Sequence, residues 1–250
     1  MNTNLVTTTG YLLVVHGSRY FRYNCDLESL AQLVQQKLIQ TYLTDVKSCL
    51  IETAYLELGT LPLSETVYNF SLKCLTQNIK KVKIFPLFLL AGVHVKEDIP
   101  EQVKLAKSRL QNQIDLEIIP HLGSYKNLIN LLEIKFKELP TQKRILLAHG
   151  SCLESGNQEC EEIARKLNTE IAYYSVHPSL SEKVNYLANI GVKSIAILPY
   201  FLFEGKITQM ITSEIENLKK THSHLTILEG KPLGSTPDLA HLISKILGKN

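Results

Sequence analysis

No stretch of this sequence stays apolar for long enough to cross a bilayer, which argues against a membrane-spanning protein. Met1 to Thr9 has neither the basic nor the apolar region of an export signal, so a cytoplasmic protein is expected. Cysteine is scarce and shows no pairing pattern. The five cysteines (Cys25, Cys49, Cys74, Cys152, Cys160) are odd in number and include no Cys-x-x-Cys. That disfavours a disulfide framework or a thiolate metal cluster and suits reduced thiols. Charge is nearly balanced, at +3 net. This is too mild for a nucleic-acid binder but compatible with a small anionic ligand. No Gly-x-Ser-x-Gly, Gly-x-Gly-x-x-Gly or P-loop string occurs, which removes the signatures of serine hydrolases, dinucleotide binders and P-loop NTPases.

What remains is a globular composition, 44% hydrophobic and 20% charged over 250 residues, enough for one large or two ordinary domains. The most informative stretch runs from Ile84 to Pro100. Ile84 to Leu90 is a short continuous apolar run, as suits a strand covered on both faces. Gly92 offers a tight turn. Asp98 can cap a helix whose first turn tolerates Pro100. His94 then falls where strand gives way to helix, the edge of an α/β sheet at which ligands bind.

Taken in order, Tyr11 to Val15 reads as a strand leading into His16-Gly17-Ser18-Arg19. Asp26 is expected to cap a helix to about Tyr42, with Leu27, Leu30, Ala31, Val34 and Leu38 on its apolar face. Lys47 to Leu58 reads as a second strand with Glu57 near its end, and Pro62 and Ser64 open a second helix. A third helix runs from Pro100 to about Asn112. Leu116 to Ile119 is a fourth strand, and Leu122-Gly-Ser124 leads to a helix ending near Lys137. The polar stretch Lys137 to Lys143 is the expected linker. The pattern then restarts: a strand from Arg144 to Ala148, His149-Gly150-Ser151, a helix from Glu159 to Leu167, a strand from Ile171 to Val176, a helix opened by Ser181, and Ile195 to Phe203. Leu233-Gly-Ser235 and a last helix follow.

This internal repeat predicts an α/β protein of two tandem domains, 1–139 and 140–250, each a mostly parallel four-stranded sheet flanked by helices. Right-handed crossovers put every strand-to-helix loop on one edge of its sheet. His16, Glu57 and His94 should therefore converge in one cleft that the second domain closes. The copies differ in an instructive way. His16 pairs with His149 and both keep His-Gly-Ser, but Glu57 pairs with Ser175 and His94 with Ile207. One working site, in the first half, is the expectation.

Two imidazoles and a carboxylate suit a divalent cation such as iron, cobalt, nickel or zinc, with coordination positions left open. The same groups can accept protons near neutral pH. Either histidine alone could equally be a satisfied loop residue; the pair at equivalent strand ends favours a site. A phosphohistidine enzyme would want arginine before the first histidine, where Val15 stands. His222 and His224 read as solvated loop residues.

Val14 to Arg19, Tyr55 to Leu58 and above all Phe85 to Pro100 resemble the sirohydrochlorin chelatase family, the class II chelatases CbiX and SirB, in their long two-domain form. The resemblance spans essentially the whole chain. It implies insertion of a divalent metal into sirohydrochlorin, an anionic tetrapyrrole, giving sirohaem when the metal is Fe²⁺. Co²⁺ or Ni²⁺ are the alternatives, and a non-catalytic metal or tetrapyrrole carrier is the alternative of another class. By resemblance His16 and His94 bind the incoming metal, and they and Glu57 are catalytic. Ser18, Arg19, Glu57 and the loop Leu89, Leu90, Ala91, Gly92 and Val93 are the implied substrate contacts. Arg19, Arg22, Lys96 and Lys206 could rim a cleft for a polycarboxylate. No tightly bound cofactor, nucleic acid or membrane partner is expected, because the metal is itself a substrate.

Overall fold

The computed structural model describes residues 9–42, 50–152 and 154–248. It is an α/β fold with two four-stranded sheets in which every strand pair is parallel. The first sheet contains β1 (Thr9–Val15), β2 (Leu50–Tyr55), β3 (Lys81–Pro86) and β4 (Asp115–Ile118), in the order β2-β1-β3-β4. The second contains β5 (Lys143–Ala148), β6 (Glu170–Tyr173), β7 (Ser194–Pro199) and β8 (Thr226–Glu229), in the matching order β6-β5-β7-β8. Among the described residues the helices are α1 (Phe21–Tyr42), α2 (Leu63–Thr76), α3 (Ile99–Leu110), α4 (Leu128–Lys137), α5 (Glu154–Lys166), α6 (Leu180–Asn189), α7 (Lys206–Thr221) and α8 (Pro237–Gly248).

The reason for this arrangement is legible in the strands. Leu12, Leu13, Val14 and Val15 of β1 are wholly buried, on both faces, as a central parallel strand requires. Each such side chain contributes roughly 1.5–3 kcal/mol of transfer free energy. The face toward α2 and α3 is filled by Val67 and Phe70 of α2 and Ile99, Val103 and Ala106 of α3. The second sheet repeats the scheme with Ile145, Leu147, Ile195 and Ile197 against Val184 of α6 and Ile211 and Ile215 of α7.

The described residues group into two compact units. One holds 9–42, 50–88, 93–122 and 240–248; the other holds 89–92, 123–152 and 154–239. The units thus differ in composition from the linear halves of the sequence repeat. Most of α8 belongs with the first sheet, where the Tyr11 hydroxyl donates to the Leu247 carbonyl at 3.3 Å. The helix α4, with Leu128, Leu132 and Phe136 buried, belongs with the second.

Several local expectations are corrected. Helix α1 starts at Phe21, so Asp26 lies inside it; the Ser18 hydroxyl, accepting the Tyr20 N–H at 3.1 Å, shapes the turn that begins it earlier. Strand β2 is described only from Leu50, and Lys47 to Cys49 lie outside the described residues. Strand β3 starts at Lys81 and ends at Pro86, short of Leu90. In the second half, α5 begins at Glu154 rather than Glu159, and β6 stops at Tyr173 rather than Val176. Helix α6 is capped by Ser179, not Ser181, through a reciprocal capping box with Glu182. Gly92 does not hold a positive φ, and a Cβ there would meet nothing within 4 Å, so no turn demands it. Asp98 caps nothing: its backbone is helical and its side chain makes no capping bond.

Candidate metal and tetrapyrrole site

The site is built at the carboxyl edge of the first sheet. His16 follows the last residue of β1, Glu57 follows β2, and His94 opens a short π-helical turn (His94–Asp98) that runs into α3. The parallel ladder continues past the strands: the Leu56 N–H donates to Val15 O and the Glu57 N–H to His16 O, both at 2.8 Å. This fixes Glu57 beside His16. Gly17 makes the approach possible. Its φ is +104°, and a Cβ there would lie 2.0 Å from the Glu57 carbonyl oxygen. His-Gly is thus a backbone requirement of the site.

The three predicted residues come together. One ligand atom from each of His16, Glu57 and His94 lies within 4.8 Å of the others, and these are the one such group of three among the described residues. Glu57 Oε2 stands 3.7 Å from His16 Nε2, and the two imidazole rings meet edge to face with centroids 4.8 Å apart. Their side chains are 42%, 54% and 36% exposed, in the order His16, Glu57, His94. Two donors about 2.1 Å from one metal stand roughly 3.4 Å apart at a tetrahedral angle. The His16–Glu57 pair is near that spacing already, while the full set is looser. A cation could bind after a small contraction and leave again, since all three side chains are partly exposed.

The two histidines are held differently. His16 Nδ1 lies 3.3 Å from the Gly17 carbonyl. His94 Nδ1 lies 2.6 Å from Asp98 Oδ2. An ionised carboxylate can only accept, so His94 Nδ1 carries the proton and Nε2 offers its lone pair. The sequence reading missed this partner. Its signal, an aspartate four residues after a histidine, was there to be used.

The other named residues divide. Ser18 and Arg19 lie on the loop after His16, with Ser18 half-buried and its hydroxyl engaged at the start of α1, and Arg19 exposed. Arg22 and Lys96 are exposed on loops or helix starts of the same edge, and Lys206 opens α7 in the other unit. Val93 is exposed beside His94. Leu89, Leu90, Ala91 and Gly92 are counted in the second unit. There the Ala91 N–H donates to Glu159 Oε2 at 3.0 Å, and the Tyr200 hydroxyl donates to Leu89 O at 3.4 Å. Burial pushes the Tyr200 phenol well up, so it stays a neutral donor. Unanticipated are three exposed apolar side chains on the site's own edge: Phe21, at 80% exposure, Leu58 and Leu61.

The second sheet carries a matching edge without the ligands. The Ser175 N–H donates to His149 O at 2.9 Å, as Glu57 does to His16, so the residue pairing read from the repeat holds. Ser175 also donates its hydroxyl to that carbonyl at 2.8 Å, and Ile207 packs on the apolar core.

An open His–His–Glu group on the carboxyl edge of a parallel sheet, with a ligand-poor copy of the same edge in the same chain, defines a two-repeat α/β protein with one candidate divalent-metal site among the described residues. The CbiX family model matches residues 10–139 and again 143–249, and the chain belongs to the CbiX family. It is 28% identical over 206 residues to a sirohydrochlorin ferrochelatase of Priestia megaterium, covering 77% of this chain and 75% of that protein. It is 23% identical over 214 residues to a sirohydrochlorin cobaltochelatase of the same organism, covering 79% and 68%. In fold it is similar to SirB from Bacillus subtilis with Fe³⁺, at a TM-score of 0.76 and 20% identity, over 96% of this chain and 95% of that one.

Among the described residues no helix is long and apolar enough to cross a membrane.

Proposed function

We propose that the chain is a sirohydrochlorin chelatase that inserts a divalent metal, Fe²⁺ before Co²⁺ or Ni²⁺, into the tetrapyrrole with release of two protons. The observation that carries the reading is the open, loosely spaced His16–Glu57–His94 group in a member of the CbiX family. The metal is a substrate. It must be held briefly and then surrendered to four pyrrole nitrogens, and a half-exposed set wider than a metal's own coordination shell suits that better than a closed cage. Imidazole and carboxylate donors accept all three metals, so the order of preference rests on relatives rather than on ligand type.

Insertion removes two N–H protons from the macrocycle. His16 and His94 offer Nε2 lone pairs and Glu57 a carboxylate at that place, so the groups that release the metal can take the protons. Phe21, Leu58, Leu61 and Val93 surround the group in sequence with apolar surface that a flat macrocycle can cover, and Arg19 and Lys96 offer charge to its carboxylates. The catalytic role falls on the first repeat, with 140–250 its degenerate copy.

The test is an anaerobic absorbance assay with sirohydrochlorin and Fe²⁺, Co²⁺ or Ni²⁺ in turn, beside a no-protein blank. Metal-dependent conversion is expected, abolished in His94→Ala with the fold kept and reduced only mildly in His149→Ala. Binding spectra without conversion for any metal would instead identify a carrier, and full inactivation by His149→Ala would refute a single site in the first repeat.

A further inference from the structure

We propose that Asp98, one helical turn beyond His94, is the positioning residue of that histidine; this rests on the reading of His94 as a metal ligand. The Asp98 carboxylate takes the Nδ1–H at 2.6 Å and so commits the ring to binding through Nε2. No other member of the group has such a partner among the bonds described: His16 Nδ1 has a backbone carbonyl at 3.3 Å. The second repeat's His149 is likewise held by the Gly150 carbonyl, at 2.9 Å.

The two repeats differ at this pair. The Leu87 N–H donates to Val14 O as the Tyr200 N–H does to Leu147 O, which aligns Pro86 with Pro199 and His94 with Ile207. Beyond the turn the alignment changes by one. The buried residues Ile99, Val103 and Ala106 of α3 correspond to Ile211, Ile215 and Leu218 of α7. The first repeat therefore has one additional residue between His94 and Ile99. A single inserted residue in a helix produces a π turn, and here the Ile99 N–H donates to the His94 carbonyl, five residues back. Helix α7 has no such widening and no histidine or aspartate in that turn. Insertion, histidine and aspartate occur together in one repeat and are absent together from the other. Asp98 is half-exposed, so its carboxylate is not needed to satisfy a buried donor of the core.

The experiment is a Co²⁺ titration of the full chain without tetrapyrrole, followed by visible ligand-field absorption, for wild type, His94→Ala, Asp98→Ala and Asp98→Asn. Thermal unfolding is measured in parallel. Asp98→Ala is expected to weaken Co²⁺ binding by about 10- to 100-fold and change the band shape. Asp98→Asn, which keeps an acceptor without the charge, should recover part of the loss, and unfolding should be unmoved in both. In the insertion assay Asp98→Ala should raise KM for the metal and leave KM for sirohydrochlorin unchanged. Wild-type affinity and spectrum in Asp98→Ala would overturn the proposal. Asp98-dependent Co²⁺ binding in a wild type that shows no insertion would sustain the pairing and refute the chelatase reading alone.

Discussion

Replacing Gly17 by alanine perturbs the site through the backbone and leaves every ligand in the sequence. The added Cβ would lie 2.0 Å from the Glu57 carbonyl oxygen and 3.0 Å from its carbon, so the two loops must part by about 1 Å even to reach a 3.0 Å separation. Parting breaks or lengthens the 2.8 Å bond from the Glu57 N–H to His16 O, worth about 1 kcal/mol. Holding φ near +104° with a side chain costs roughly 1–3 kcal/mol more. The sum is about 2–4 kcal/mol, below the whole stability of a typical domain. At roughly 2–4 °C per kcal/mol the midpoint should fall by roughly 4–16 °C with a cooperative transition preserved. Because the displaced segment carries Glu57, Co²⁺ affinity and insertion should fall further than stability at the assay temperature explains. Gly150→Ala is the internal control. Its φ is +84° and its Cβ would meet Val176 Cγ2 at 2.7 Å, so it should lose stability while leaving Co²⁺ binding intact. Calorimetry and Co²⁺ titration together decide the matter. A Gly17→Ala protein with an unchanged midpoint and unchanged Co²⁺ binding would refute the claim that His-Gly is a steric requirement.

The thiols and an outlying histidine provide further checks. Burial pushes Cys74 and Cys160 up to about 12, so in a Cys49→Ser background a maleimide at pH 7 should label the exposed Cys25 and Cys152 and spare those two until the protein is unfolded. Mass spectrometry after brief labelling reads this directly; early labelling of Cys74 would contradict the packing of α2 against β1. The bond to Glu182 raises His177 above the usual histidine range and, with the Ser179 backbone and hydroxyl, lowers Glu182 to about 2. A raised histidine contributes stability below its unfolded value of about 6.5 that is lost as pH climbs through the folded value; a lowered carboxylate contributes above about 4.5 and loses it as pH falls toward 2. By NMR titration Glu182→Gln should bring His177 back down, and an unmoved His177 would show that the pair does not form in solution.

Much of the site is legible in the sequence. Strand–helix alternation, the repeat and right-handed crossovers were enough to predict that His16, Glu57 and His94 share one sheet edge, because that follows from where each lies along its own strand. The loss of Glu57 and His94 in the second copy was legible for the same reason. Errors gathered where two local signals compete. Asp98-Ile99-Pro100 has the form of a helix start, since proline disfavours helical backbone at the residue before it. Yet Ile99 is helical, with φ −62° and ψ −47°, and the helix begins at the histidine. Pro100 has no N–H to give to Lys96 O and its ring would crowd that carbonyl, and the widened turn accommodates both.

The sequence by itself determined the α/β class, the two repeats and the placing of His16, Glu57 and His94 on one sheet edge, because strand and helix periods and the order of elements are local properties of the chain. Tertiary structure alone decided the rest. It placed Glu57 against His16 by extending the β1–β2 ladder past its last paired residues, and it made Gly17 obligatory by the closeness of that approach. It turned Asp98 from an apparent cap into the partner of His94. It also assembled the compact units from α4 and α8 in a way that chain order does not suggest. Each depends on distances between segments remote in sequence, or on the phase of a single helical turn, and neither is written in hydrophobic periodicity.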